Sequence, residues 1–464
     1  GRNQVELFGN PDNTGPADGA FDSIAVTNYR YPGTSYGGTF DIGGELYTYD
    51  AGGVRPLQND QRVSFWGVGG DGFNDADFAP LRNGTEVFAA TTHLEYEIND
   101  AIDLFIDAQY AHTETVAPLQ PTFDLGITIP DTNPTIPADV LALMSAASQT
   151  TLTIGRTNVD QGQNFRYVDR DTVTGVLGFE GDLNERFHWL AFYQYGRYQA
   201  DAERTHNRIT ARFNEAVDAI MGAGGPVCAD PAAQAMGCVP INLFGPAAAT
   251  PEALAYFDYT SHRTVLNTQQ VAGLQLSGDV FELPAGWVKA AAGVEYRKEK
   301  TDETPDPRQA AGELLYLTDD AIAASFDVKE VFGEALVPIL ADQAFAKELS
   351  LEGAVRFSDY NTIGSTTTWK LGAQWAPSSD VRFRATRSRS VRAPNLSELY
   401  NPGSTSNQFI LDPCDASRIN LNPNRAANCA ALGLPVGYVD PTTGVFKTIV
   451  TSGNPDLGPE KSNS

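Results

Sequence analysis

The chain has 464 residues, 42% hydrophobic and 10% aromatic, which excludes a disordered polymer too poor in apolar groups to bury a surface. Its 58 acidic and 32 basic residues leave a formal net charge of −26, so a nucleic-acid partner and docking of basic helices on an anionic membrane surface are both excluded. No window holds the roughly 18 to 20 apolar residues that a membrane-spanning helix needs, whereas strands of about 9–11 residues are long enough to cross in a barrel.

In chain order, segment 1–85 offers interrupted strands at 20–30, 37–48 and 60–69. Gly67-Val68-Gly69-Gly70-Asp71-Gly72 satisfies the dinucleotide fingerprint G-x-G-x-x-G, but the following Phe73-Asn74-Asp75-Ala76-Asp77 is turn-like where a helix should open. A glycine-rich surface loop is expected there. Asp71, Asp75 and Asp77 miss the calcium-loop spacing and its closing Glu, so the expectation is a solvated acidic loop and no metal.

Strict alternation begins at Phe88. Phe88, Ala90, Thr92, Leu94, Tyr96 and Ile98 share one face, with Thr91, His93, Glu95 and Glu97 opposite; after Asn99-Asp100, Ile102, Leu104, Ile106, Ala108 and Tyr110 oppose Asp103, Asp107 and Gln109. Period 2 with one apolar face predicts half-buried strands. The same grammar predicts hairpins at 165–183 with 187–200, 263–282 with 287–299, 328–340 with 347–360, and 366–376 with 381–391. The intervening turns are short: 183–186, 283–286, 340–343 and 377–380. On the other side lie 113–164, 201–262, 300–327 and 392–450, rich in Pro, Gly, Asn and Thr; only 361–365 is short there. Short turns on one side and long loops on the other predict an all-β antiparallel transmembrane β-barrel with short periplasmic turns and long extracellular loops. Charged opposite faces suit the wall of a wet or plugged lumen, and Trp189, Trp287, Trp369 and Trp375 suit an aromatic girdle near strand ends. Pro137 to Ser148 and Thr210 to Met221 carry helical spacing, predicting short surface helices within the loops.

Four cysteines form two local pairs, Cys228 with Cys238 and Cys414 with Cys429, in loop contexts without further ligands for zinc; disulfides formed outside the cytoplasm are expected. The five histidines, His93, His112, His188, His206 and His262, fall in no H-E-x-x-H frame, and no G-x-S-x-G occurs. No catalytic residue, metal or cofactor is predicted, and no enzyme. The chemistry concentrates between Asp380 and Tyr400, where Arg382 and Arg384 share a face and Arg387, Arg389 and Arg392 follow before Pro394 ends regular pairing. Such a basic ladder either pairs with carboxylates inside the barrel or contacts an anionic ligand through Arg382, Arg384, Arg389 and Arg392.

The segment Arg392-Ala393-Pro394-Asn395 with Glu398-Leu399, the stretches Asp412-Pro413-Cys414 and Asn428-Cys429-Ala430-Ala431-Leu432-Gly433, and Gly453-Asn454-Pro455-Asp456-Leu457-Gly458-Pro459-Glu460-Lys461-Ser462 together resemble the TonB-dependent outer-membrane receptors. Gly293-Val294-Glu295-Tyr296-Arg297, Val337-Pro338 and Cys238-Val239-Pro240-Ile241-Asn242-Leu243-Phe244-Gly245 fit as well, so the likeness runs from about residue 60 to the end. It implies a Gram-negative outer-membrane location, with outer-membrane lipid around a 22-stranded barrel filled by an N-terminal plug. It also implies uptake of a scarce siderophore, cobalamin or oligosaccharide, bound at extracellular loops and drawn in when the TonB complex pulls the plug. Plug-like sequence is missing, and Ser464 stands where a further strand should begin. Residues 1–464 are therefore expected to be an incomplete barrel domain, an internal fragment whose plug lies outside it. The alternative reading is a plugless outer-membrane pore or adhesin on a similar barrel.

Overall fold

The computed structural model describes residues 5–10, 12, 19, 21–63, 66–78, 80–316, 321–408, 411–440 and 447–464. Gly84–Asn99, Ile102–Pro118, Phe165–Asn184, Phe187–Arg204, Ser261–Leu283, Gly286–Pro305, Ile322–Gln343, Ala346–Tyr360, Gly364–Ala376, Phe383–Arg392 and Glu460–Asn463 form one antiparallel sheet. Each strand pairs with its sequence neighbours in this set, giving an uninterrupted meander between edge strands Gly84–Asn99 and Glu460–Asn463. The ten strands expected from alternation are all there. Several run farther toward the long-loop end than alternation reached: Ile102–Pro118 passes Tyr110, and Phe187–Arg204 passes Ala200. Beyond the apolar band both faces are polar, so alternation fades while backbone groups continue to pair.

Two boundaries differ from expectation. The strand Ile322–Gln343 continues through the expected turn 340–343, and the chain reverses instead at Ala344-Phe345, with Asp342 and Phe345 at φ of 52° and 60°. Val381 and Arg382 belong to the connection, because the last long strand starts at Phe383. A polar-apolar dipeptide reads alike in a strand end and a turn.

Register shows how the faces divide. One ladder runs Leu104, Phe179, Ala191, Leu274, Val294, Val331 and Phe357 across seven strands. Leu274, Val294 and Val331 are each about half exposed, at 52%, 52% and 51%, which water would penalise and lipid would not. The adjacent ladder on the other face runs Phe105, Gly178, Phe192, Gly273, Glu295, Glu330 and Ser358. There Arg356 pairs with Glu330 at 3.0 Å and Lys370 with Glu352 at 2.7 Å. The apolar face is the lipid face and the charged face lines the lumen. Trp189, Trp287 and Trp375 lie near the short-turn ends, but Trp369 sits mid-strand, outside any girdle.

All long connections leave the same end, as expected, and two of them are more ordered than the polar loops and surface helices expected. Phe123–Pro130 and Thr151–Thr157, both inside the expected loop 113–164, join Thr39–Ile42, Glu45–Asp50 and Gly53–Pro56 in a five-stranded sheet. Helices Ala138–Ala146, Thr210–Val217 and Pro251–Phe257 pack beside it around Phe40, Ile129, Met144, Leu152, Ile154, Phe213, Leu243 and Phe257, each no more than 2% exposed. The apolar positions that suggested these helices are therefore core positions of a folded cap. The second helix stops at Val217, because Ala219–Gly222 pairs with Gly225–Cys228 as a hairpin. Arg156, 0% exposed, crosses this core: it donates to Leu243 O at 3.1 Å and Gly245 O at 3.0 Å, and pairs with Asp160 at 2.6 Å.

In the amino-terminal segment, Ser23–Thr27, Tyr29–Arg30, Gln61–Val63 and Trp66–Val68 are strands, while residues 20, 64 and 65 of the expected strands lie outside the described residues. The glycine-rich stretch is a tight turn: a Cβ on Gly70 would lie 2.0 Å from Gln58 O. Asp71 is no solvated acid. It accepts from Arg55 at 2.7 and 2.9 Å, and these bonds hold its carboxyl below the usual range. Asp77 accepts from Arg30 at 3.3 Å and from the Tyr36 hydroxyl at 3.2 Å. Burial, reinforced by Asp77, pushes the Tyr36 phenol up to about 12. The Asp75 side chain lies outside the described residues.

Candidate functional site at the lumen mouth

Register divides the basic ladder between the two faces. Arg384 stands opposite Gln374 and Ser350 on the lumen wall, whereas Arg389 stands opposite Trp369 and Val355 on the lipid side. Each predicted ligand residue has a partner within the chain. Arg382 pairs with Glu348 at 3.3 Å, Arg384 donates to Gln374 at 3.1 Å, and Arg389 donates to Asn463 at 3.1 Å. Arg392 grips Glu398 at 2.9 and 3.0 Å and Glu460 at 2.7 and 3.1 Å.

That last contact brings together the residues that carried the family resemblance. Pro394 ends the strand, and Asn395 caps helix Leu396–Tyr400 in a reciprocal capping box with Glu398, both bonds 2.8 Å. The Arg392 hydrogen bonds, aided by the Asn395 amide, hold the Glu398 carboxyl below its ordinary value. Leu396 packs on Phe326 and Val328 of the lumen face, and Leu399 is 1% exposed. The far limb of the loop returns onto this helix: the Gly453 amide donates to Asn401 O at 2.7 Å and the Asn454 amide to Glu398 O at 2.8 Å. Asn454 then turns the chain by accepting from the Leu457 amide, Pro455 lying between them, and Glu460 closes on Arg392. Arg392 to Leu399 and Asn454 to Glu460, with Ala393 inside the turn, thus clamp the base of the connection 393–459. Its tip carries the Cys414–Cys429 disulfide, S–S 2.03 Å, and the cap carries Cys228–Cys238, S–S 1.98 Å, as the spacing predicted.

One concave feature at this end lies elsewhere, beneath the cap. A cavity of about 540 Å³ is lined by Gln120, Arg166, Arg204, Arg263, Gln309 and Tyr316, among others. Arg166 and Arg204 stand directly opposite each other in the hairpin around Glu185, on the lumen face. Arg204 stacks its guanidinium 3.3 Å from the Tyr316 ring centroid. Tyr316 is fixed from three sides: its amide donates to Asn207, its carbonyl accepts from Gln309, and its hydroxyl accepts from Asn164 at 3.3 Å. Burial raises the Tyr316 phenol above its ordinary value, so it stays neutral beside the guanidinium. Arg263 is neutralised by Glu303, whereas Arg166 and Arg204 have no carboxylate within 4.0 Å among the described residues. Linear reading missed this pair. The available signal was its symmetry about the turn, since residues equidistant from Glu185 must face each other.

The family model described as TonB dependent receptor-like, beta-barrel matches residues 96–464. Among solved structures, a mutant of the ferric enterobactin receptor PfeA from Pseudomonas aeruginosa is 14% identical with TM-score 0.43, the match covering 90% of this chain and 44% of that one. The siderophore receptor PirA from Acinetobacter baumannii is 14% identical with TM-score 0.39, covering 82% and 40%. The ferric-catecholate import receptor Fiu from E. coli K12 is 13% identical with TM-score 0.36, covering 75% and 46%. The match spans less than half the length of each of these structures. No curated protein sequence matches. The family model covers more than three quarters of the chain, and on that ground the chain belongs to the TonB-dependent receptors through their β-barrel.

Proposed function

We propose that this chain is the barrel portion of a Gram-negative outer-membrane uptake receptor. It binds a scarce ligand at its extracellular mouth and admits it with energy from the TonB complex acting through a plug domain. The observation that carries this reading is the one-sidedness of the meander: every long connection leaves one end of the sheet, and two of them fold together with the amino-terminal segment into a cap. A lipid-facing apolar ladder and a charged inner wall support a membrane-embedded pore, and family membership supports coupling to TonB. The solved relatives whose names mention ferric enterobactin, siderophores and ferric catecholates make that ligand class the first to screen, with cobalamin and oligosaccharides after it. The family is one of transport receptors, so no reaction is assigned.

The test is ligand-limited growth of cells expressing the full receptor, in TonB-proficient and TonB-deficient hosts. Growth that depends on both the receptor and TonB is expected. Equal growth in both hosts would point to the plugless pore, and adhesion without growth to an adhesin; either defeats the proposal.

A further inference from the structure

We propose that the cavity under the cap binds a compact oxyanion of the ligand, a carboxylate or phosphate group, held by Arg166 and Arg204; this deepens the uptake-receptor reading and rests on it. Directly opposed like charges destabilise a strand pair. In a chain of net charge −26, carboxylates to neutralise them are abundant, and the neighbouring Arg263 has taken Glu303. Among the described residues Arg166 and Arg204 have taken none, although they line the same cavity. The Arg204 Nε is buried and without a hydrogen-bond partner, a costly state for a charged donor. Its stacking on Tyr316 keeps the guanidinium plane fixed while leaving its edge able to donate. A planar fork of N–H donors matches a carboxylate or phosphate, and a second guanidinium directly across the hairpin completes a two-sided clamp. Gln120 and Gln309 supply neutral amides at the rim, suited to hydroxyl or carbonyl groups on the rest of the ligand.

The site lies where an incoming ligand first meets the lumen wall. The outer surface of the same strands is acidic, with Glu114, Asp169 and Asp201 in one cross-strand row. The cavity lining holds one carboxylate, Glu203, paired with His262 at 3.3 Å, so an anion repelled by the exterior is drawn to the arginines inside the mouth.

The experiment titrates the purified full receptor in detergent at low salt with citrate and with inorganic phosphate, using maltose as a neutral control. Citrate or phosphate binding is expected, and which of the two binds distinguishes carboxylate from phosphate chemistry. Arg166→Gln should weaken it about tenfold or more, as loss of one charge-assisted contact does, and Arg204→Gln should do the same. Arg166 is exposed, so its variant tests the site even where Arg204→Gln fails to fold. Binding of neither anion, or wild-type affinity in Arg166→Gln, overturns the proposal. Should TonB-dependent uptake persist without anion binding, the site fails and the receptor stands. Arg166-dependent anion binding in a protein that supports no TonB-dependent uptake is the reverse case.

Discussion

Asp160→Ala should open the cap while leaving the eleven-stranded sheet intact. Asp160 is the countercharge of Arg156, their side chains 4% and 0% exposed, and it also accepts the Ala249 amide at 3.0 Å. Removing it leaves a fully buried guanidinium facing two carbonyls and an amide but no anion, a loss of about 3–5 kcal/mol by analogy with other broken buried pairs. At about 1.4 kcal/mol per decade, the open population of the cap rises roughly 140- to 4,000-fold. The readout is limited chymotrypsin digestion of the receptor in detergent, because cleavage tracks the open population when opening is fast. New cuts are expected after Phe213, Phe244 and Phe257, each at most 3% exposed in the folded cap, before any cut in the sheet. Cleavage within threefold of the wild-type rate would refute the claim that this pair holds the cap. The same pair sets an acid limit. Burial is the largest single influence and raises the Asp160 pKa, but the hydrogen bonding and charge of Arg156, with the Ala249 amide, together outweigh it and leave the folded value below the ordinary one. Its stabilisation is therefore fully present above the unfolded carboxylate pKa of about 4 and is lost as pH falls through the lower folded value. Cap resistance should be flat from pH 7 to about 4 and fall below it, with pepsin as the protease on the acid side.

Adjacent substitutions test the assignment of faces. Leu274→Arg on the lipid side should cost about 2–4 kcal/mol of folding in lipid vesicles, and Gln275→Arg on the lumen side far less, by urea titration of heat-modifiable migration; equal costs would mean the faces are misassigned. Gly453→Ala puts a carbon 2.6 Å from the Asn401 nitrogen and 2.7 Å from the Leu399 carbonyl carbon, backbone that can yield only by parting the clamp. Hydrogen exchange in 396–401 should accelerate, and unchanged protection would show that the two limbs are not coupled. Cys228→Ser with Cys238→Ser should lower cap stability by about 3 kcal/mol through release of a short loop; the chymotrypsin assay reads it, and wild-type resistance would count against a stabilising role.

The barrel was legible in the sequence because its physics is local. A strand between lipid and a wet lumen must alternate, and ten stretches from Phe88 to Val391 do so without knowing their partners. The cap was not legible, because its order is non-local: Phe40 meets Phe244, and Ile154 pairs with Phe40, over separations that periodicity does not see. Thr151–Thr157 reads as a polar loop with Arg156 in it, yet Arg156 is 0% exposed because carbonyls 87 and 89 residues away accept its protons. The motif Arg392 to Glu398 was visible as a pattern. Its partner Glu460, 68 residues on, came with the same resemblance, but only the fold reveals that one grips the other. The cavity arginines fell between these cases, since each sits alone in its own strand and becomes a pair only once the hairpin is folded.

The cap and the arginine pair are connected by a single physical requirement. Arg166 and Arg204 repel one another, so a flexible mouth would let the strand ends fray or draw in one of the many nearby carboxylates. Tyr316 prevents this for Arg204, and Tyr316 is itself held by Asn164, Asn207 and Gln309 from separate connections. Asn207 and Arg208 follow one another in the connection after Arg204, and Arg208 anchors that connection to Asp124 of the cap sheet at 2.8 Å. The chain of contacts therefore runs from the buried core to the Arg204 guanidinium, which no carboxylate among the described residues neutralises. A ligand entering such a mouth finds its donors already oriented and spends little of its binding energy on ordering loops. By the same reasoning, loosening the core at Asp160 should weaken anion binding at a cavity whose lining does not include that residue. An Asp160→Ala receptor that opens to chymotrypsin yet binds citrate or phosphate as tightly as wild type would separate the two and sink the connection.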